Sequence, residues 1–97
     1  MSDNTEKPVL VTTEYRGVFF GYAEGDTSGD VIDLKRARNC IYWPSGQGGF
    51  MGLASEGPAK GARIGARADI TLRKVTAVAP VAPEAVEKWE TASVYRG

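Results

Sequence analysis

Glycine and proline cut this chain into short pieces, and nearly every piece has the make-up of a β-strand. Residues 9–13 (Val-Leu-Val-Thr-Thr) are β-branched. Residues 17–23 alternate, with Val18, Phe20 and Tyr22 on one face and Phe19 on the other. A polar turn, Glu-Gly-Asp-Thr-Ser-Gly-Asp, follows over 24–30, then a strand over 31–35 with Ile32 and Leu34 pointing inward. Residues 39–43 (Asn-Cys-Ile-Tyr-Trp) form an aromatic strand stopped by Pro44; period 2 sets Ile41 and Trp43 on one face and Cys40 and Tyr42 on the other. After a glycine-rich turn, residues 50–54 return as a short strand. Residues 70–79 read as a long strand whose apolar phase changes, which a bulge near Arg73 and Lys74 reconciles.

One segment reads as a helix, residues 83–92. Pro83 suits the first helical position, and Glu84 and Glu87 suit the positive end of the helix dipole. Val86 and Trp89 supply its buried stripe. The expected fold is therefore mainly β (α+β), a small antiparallel β-barrel or sandwich with one C-terminal helix. A chain of 97 residues holds one core, so residues 9–97 make a single β-rich domain behind a disordered polar lead-in, 1–8. A core this small has a thin stability margin, and a homo-oligomer is expected.

Composition excludes several chemistries. There is no histidine and a single cysteine, Cys40, so nucleophile–histidine catalysis, an intrachain disulfide and a zinc site are all disfavoured. No apolar run approaches the length of a membrane span and no signal-peptide core stands at the N-terminus, so a cytoplasmic location away from membranes is expected. The zero formal charge argues against bulk nucleic-acid binding. It is unevenly spread: residues 1–34 carry two cations against seven carboxylates, net −5, whereas residues 35–74 carry eight against two, net +6. The acidic and basic parts either pair with one another or leave a basic patch for an anionic ligand.

That patch has a focus. Residues 58–69 read Pro-Ala-Lys-Gly-Ala-Arg-Ile-Gly-Ala-Arg-Ala-Asp, with Lys60, Arg63 and Arg67 spaced by small residues. The segment fits neither a helix nor a strand, so 56–68 is expected to be a long loop. Backbone N–H groups near Gly61 and Gly65 form a nest for a phosphate that the cations clamp, or the cations pair with Glu56 and Asp69. Tyr42, beside Arg36 and Arg38, is the residue placed to stack on a base, while Trp43 suits the core. No catalytic residue, metal ligand or cofactor is assigned. Asp26, Asp30 and Asp33 are better explained as turn formers than as a magnesium site.

The stretches Arg16-Gly-Val-Phe-Phe-Gly-Tyr, Arg36-Ala-Arg-Asn-Cys-Ile-Tyr-Trp, Gly52-Leu-Ala-Ser-Glu-Gly-Pro, Arg63-Ile-Gly and Pro83-Glu-Ala-Val-Glu-Lys-Trp resemble, in order, a family of small tailed-bacteriophage proteins known as a domain of unknown function. The resemblance implies an accessory protein made in the cytoplasm of an infected bacterium and carries no active site. Small phage proteins of this kind include non-catalytic sponges that sequester nucleotide immune messengers. The leading expectation is such an anti-defence sponge, a homo-oligomer that binds a small anionic nucleotide-type ligand through Arg36, Arg38, Tyr42, Lys60, Gly61, Arg63, Gly65 and Arg67. The alternative is a protein–protein interaction or structural role, inhibiting a host protein or joining an assembly. A metal-dependent nuclease using the three aspartates is the lesser rival.

Overall fold

The computed structural model describes residues 6–14, 17–24 and 29–95. Six strands and two helices follow one another as β1 (Lys7–Thr13), β2 (Val18–Ala23), β3 (Val31–Tyr42), α1 (Gly49–Glu56), β4 (Arg63–Ile64), β5 (Ala68–Arg73), β6 (Val75–Pro80) and α2 (Pro83–Thr91). Of the expected lead-in, residues 1–5 lie outside the described residues, and Lys7 and Pro8 are the first residues of β1. Residues 25–28 of the polar turn, Asp26 among them, also lie outside.

All the strands belong to one antiparallel sheet, ordered β4-β3-β2-β1-β6, with β5 also paired to β3. The sheet is open, which corrects the expected barrel. The cause lies in β3, which at 12 residues is long enough to carry two partners on one edge. Val31 to Ala37 face β5, and Cys40 and Tyr42 face β4. β5 therefore stays with β3 while β6 goes to β1, and Lys74, with φ of 58°, turns the chain between them. The phase change near Lys74 is real, but it is a break between two strands rather than a bulge within one.

The two strands expected at 31–35 and 39–43 are continuous in β3, with a bulge at Arg36 (φ 51°) where the register to β2 shifts between Phe20 and Tyr22. The bulge moves the buried side chains from Ile32 and Leu34 on one face to Arg38 and Cys40 on the other. With a second register shift, to β4 between Cys40 and Tyr42, the expected parity of the aromatic strand fails for Cys40 and Ile41 but not for Tyr42, which is exposed, or Trp43. Cys40 is buried, Ile41 is 49% exposed, and Trp43 packs at the margin of the core.

Both faces of the sheet are apolar. Val9, Val11, Ile32, Leu34 and Leu72 gather on one side. On the other, Leu10, Phe20, Cys40 and Ile64 meet Leu53 of α1 and Ala85 and Trp89 of α2. Trp89 joins the layers: its ring stacks on Phe20 at 5.2 Å between centroids, and its indole N–H donates to Leu53 O at 3.1 Å. The buried stripe of α2 is Ala85 and Trp89, four apart, with Val86 beside it.

Residues 50–54, expected as a strand, belong to α1. Gly48 in the left-handed region (φ 86°) turns the chain into the helix, whose apolar side is Leu53 and Ala54. The buried Gln47 ties the two ends of this segment, its amide donating to Gly57 O and accepting from Ala59 N–H, both at 2.8 Å.

Candidate functional site

The basic segment is shorter and more ordered than a free loop. Ala62 N–H closes a turn on Ala59 O, and Gly61, at φ 97°, occupies the turn position that a side chain would strain. Arg63 and Ile64 then pair with β3 as β4, and Ile64 is buried in the core. Gly65 leaves the strand against Asn39; a Cβ there would lie 2.4 Å from Asn39 Oδ1. The strand pairing that anchors Ile64 is what presents Arg63 to solvent on the other side.

Two of the expected phosphate ligands, the buried Arg38 and the exposed Arg67, are engaged by other groups of the chain. Arg38 is fully buried. Its Nε donates to Gly65 O, and its Nη1 donates to both Trp89 O and Ala92 O, each at 2.8 Å. The carbonyls of Trp89 and Ala92 lie at the end of α2, where intrahelical partners run out, so Arg38 caps that helix from the sheet. Burial lowers its pKa, and the neighbouring Arg67 lowers it further. Arg67 performs a related task, donating to Glu90 O and pairing with Glu90 Oε1 at 3.2 Å.

Glu90 is the centre of this network. Its second carboxylate oxygen accepts from Tyr22 OH, and burial, aided by that carboxylate, pushes the Tyr22 phenol up to about 12. The guanidinium of Arg36 lies over the Tyr22 ring, 4.4 Å from its centroid, and pairs with Glu6 at 2.7 Å. The bond to Glu6 raises the pKa of Arg36. With Glu14 and Lys74 at 3.5 Å, the Glu6–Arg36 pair shows acidic N-terminal residues meeting the basic part. Asp69 turns to Arg36 N–H at 2.9 Å and to Lys35, away from Lys60 and Arg63.

The remaining candidates lie elsewhere and face outward. Arg63 sits between two aromatic rings, 5.1 Å from the centroid of Tyr42 and 5.0 Å from that of Tyr95. Both rings are exposed, at 47% and 38%. Tyr95 is carried there by its N–H bond to Ile64 O at 2.8 Å and by the parallel bridge of Val94 to Ile64. It is the residue that sequence reasoning missed, because only this tertiary pairing brings the chain's end beside β4. On either side of Arg63 in sequence, Ala62 and Ile64 line a cavity of about 340 Å³ that also includes Lys60, Gly61, Lys88 and Thr91. Lys60 and Lys88 have no ion-pair partner among the described residues.

The eight candidates thus divide. Arg36, Arg38 and Arg67 surround Tyr22 and Glu90, Gly65 serves the Arg38 cap, Tyr42 and Arg63 stand with Tyr95, and Lys60 and Gly61 line a separate cavity with Lys88. Among the described residues no group of three or more potential ligands is placed to hold a metal ion. Asp33 accepts from Thr71 Oγ1, and Asp30 O accepts from Val75 N–H. The Cys40 thiol is pushed up to about 11 by burial. Among the described residues no helix is long and apolar enough to cross a membrane.

The chain belongs to the family described as a domain of unknown function, DUF6948, whose model matches residues 6–89. Comparison with curated proteins and with solved structures finds no match.

Proposed function

We propose that this member of the DUF6948 family binds a small phosphorylated, nucleotide-type ligand and holds it without turning it over. The observation that carries this reading is the Arg63 guanidinium set between the exposed rings of Tyr42 and Tyr95. A guanidinium held against aromatic faces keeps its edge free for a phosphate, and a ring beside it offers a face for a base. Lys60 and Lys88 line a separate cavity on the Ile64 side of β4, which Arg63 and the two rings do not line; its volume lies at the lower end of the range for small-ligand sites. Arg38 and Arg67 drop out of the ligand set because their donors hold α2, and Arg36 drops out because it lies with Glu6 and Tyr22. In the setting implied by the resemblance to tailed-phage proteins, the ligand is an immune messenger of an infected bacterium, and holding it is the action of a sponge.

Isothermal titration against cyclic dinucleotides, cyclic trinucleotides and ADP-ribose derivatives tests the proposal. At least one should bind at micromolar affinity or better, and Arg63→Ala should weaken it by about tenfold or more, with an unchanged unfolding midpoint. Absence of binding to every member overturns the proposal. Mass spectrometry of ligand released by denaturation distinguishes holding from turnover, since a sponge returns it intact. Exposed Ile41 beside Tyr42 favours the alternative, contact with a host protein. In that case Arg63→Ala weakens a protein complex and there is no nucleotide affinity to lose.

A further inference from the structure

The open end of the sheet has an unusual composition. β6 pairs with β1 on one side and with no strand on the other among the described residues. Edge strands are ordinarily blunted by charge or proline; no charged residue occurs from Val75 to Pro83, and within β6 only Pro80 serves that end. The opposite margin is different: β4 carries Arg63, and β5 carries Asp69 and Arg73.

The register shows which backbone groups face the open side. Val81 N–H donates to Pro8 O at 3.1 Å, which makes Pro8 and Val81 a hydrogen-bonded pair. Alternation along the antiparallel ladder makes Leu10 with Ala79 and Thr12 with Ala77 hydrogen-bonded pairs too. Val11 with Val78 and Val9 with Pro80 are then the non-hydrogen-bonded pairs. The N–H and C=O of Val78 therefore point outward, as does the C=O of Pro80, and the N–H that proline lacks would have pointed outward as well. Thr76 lies at the register shift where β6 enters this ladder, at its open edge.

We infer that β6 is a self-complementary docking edge that pairs antiparallel with β6 of a second copy of this chain, across a two-fold axis at Val78. In that register the two Val78 residues exchange N–H···O=C bonds. Thr76 of each chain faces Pro80 of the other, and its N–H meets a residue that needs only to accept. Proline supplies no N–H for the Thr76 C=O, so each Thr76–Pro80 pair holds one bond rather than two. Open concavities flank the strand on both sides: one of about 480 Å³ along Thr76, Ala77 and Val78, and one of about 440 Å³ between Ala79, Pro80 and α1. Met51, 69% exposed on α1, lines the second and gives a partner apolar surface beyond the backbone bonds.

Sedimentation of the full chain over a concentration series tests the inference. The wild type should pass from monomer to twice the monomer mass. Ala77→Lys places an exposed charge diagonally across the axis from its own copy, and should weaken association by about tenfold or more. Ala77→Glu should do the same, and an equimolar mixture of the two variants should restore a dimer. Exchange of the Val78 amide gives a second readout that needs no variant, since its hydrogen should be protected at high concentration and lost on dilution. A chain that stays monomeric throughout, or variants that associate as the wild type does, overturns the inference. So does an oligomer in which the Val78 amide stays unprotected.

Discussion

Replacing Arg38 separates a structural arginine from a ligand-holding one. Three carbonyls, those of Gly65, Trp89 and Ala92, lie 2.8 Å from its donors, and the residue has no exposed surface. A hydrogen bond from a charged donor contributes about 1.5–3 kcal/mol, though three on one side chain do not add in full. The desolvation of the guanidinium opposes them, as does Nη2, which is buried without a partner. Truncation leaves the carbonyls unmet and α2 uncapped, so Arg38→Ala should cost about 3–5 kcal/mol. In a domain of this size that corresponds to a fall of roughly 12–40 °C in the unfolding midpoint. Arg38→Met, which keeps the apolar stem, should lose somewhat less, and Arg38→Lys should fall between because one ammonium cannot span three acceptors. Urea unfolding followed by circular dichroism and tryptophan fluorescence measures each. If Arg38→Met proves as stable as the wild type, the buried bonds contribute nothing net and the capping role is refuted.

Two further substitutions test the polar contacts that join the elements. The Tyr22 pKa rises from 10 to about 12 on folding, so the neutral phenol favours the native state. That contribution, about 1–2 kcal/mol after allowance for solvent, is full below pH 10 and is lost as the pH rises through about 12. The stability difference between wild type and Tyr22→Phe should therefore shrink between pH 9 and pH 12 in paired denaturation curves; a constant difference would contradict the assignment. Gln47→Ala strands Gly57 O and Ala59 N–H and should cost about 2 kcal/mol by thermal unfolding, whereas the conservative Gln47→Glu should fail to restore it because it replaces the amide donor with a carboxylate.

Local pattern carried the strand reading well where one run of residues met a single partner along each edge. Residues 9–13 and 17–23 became β1 and β2, and Pro83 opened α2 as its fixed φ suits. It misread residues 50–54, because Phe-Met-Gly-Leu-Ala has no decisive period in so short a window. It also misjudged the face of Cys40 and Ile41, because the bulge at Arg36 and the register shift between Cys40 and Tyr42 break the simple alternation of β3.

For the site, cationic character was legible and its distribution was not. Arg36, Arg38, Arg63 and Arg67 are alike in sequence. Arg38 differs because β3 aims it beneath α2, and Arg63 because β4 turns it outward between two tyrosines. Glu90, Tyr22, Lys88 and Tyr95 come from distant parts of the chain, and no spacing rule connects them to the basic segment.

By itself, then, the sequence determined a small, mainly β domain ending in a helix, without histidine and with its cations concentrated in the middle. Those properties follow from residue type and short-range periodicity. The open sheet, the arginine that holds α2 and the tyrosine-flanked Arg63 were decided by tertiary structure. The reason is physical: a guanidinium meets whichever carbonyl, carboxylate or ring the chain's return places beside it, and that return depends on long-range pairing rather than on neighbouring residues.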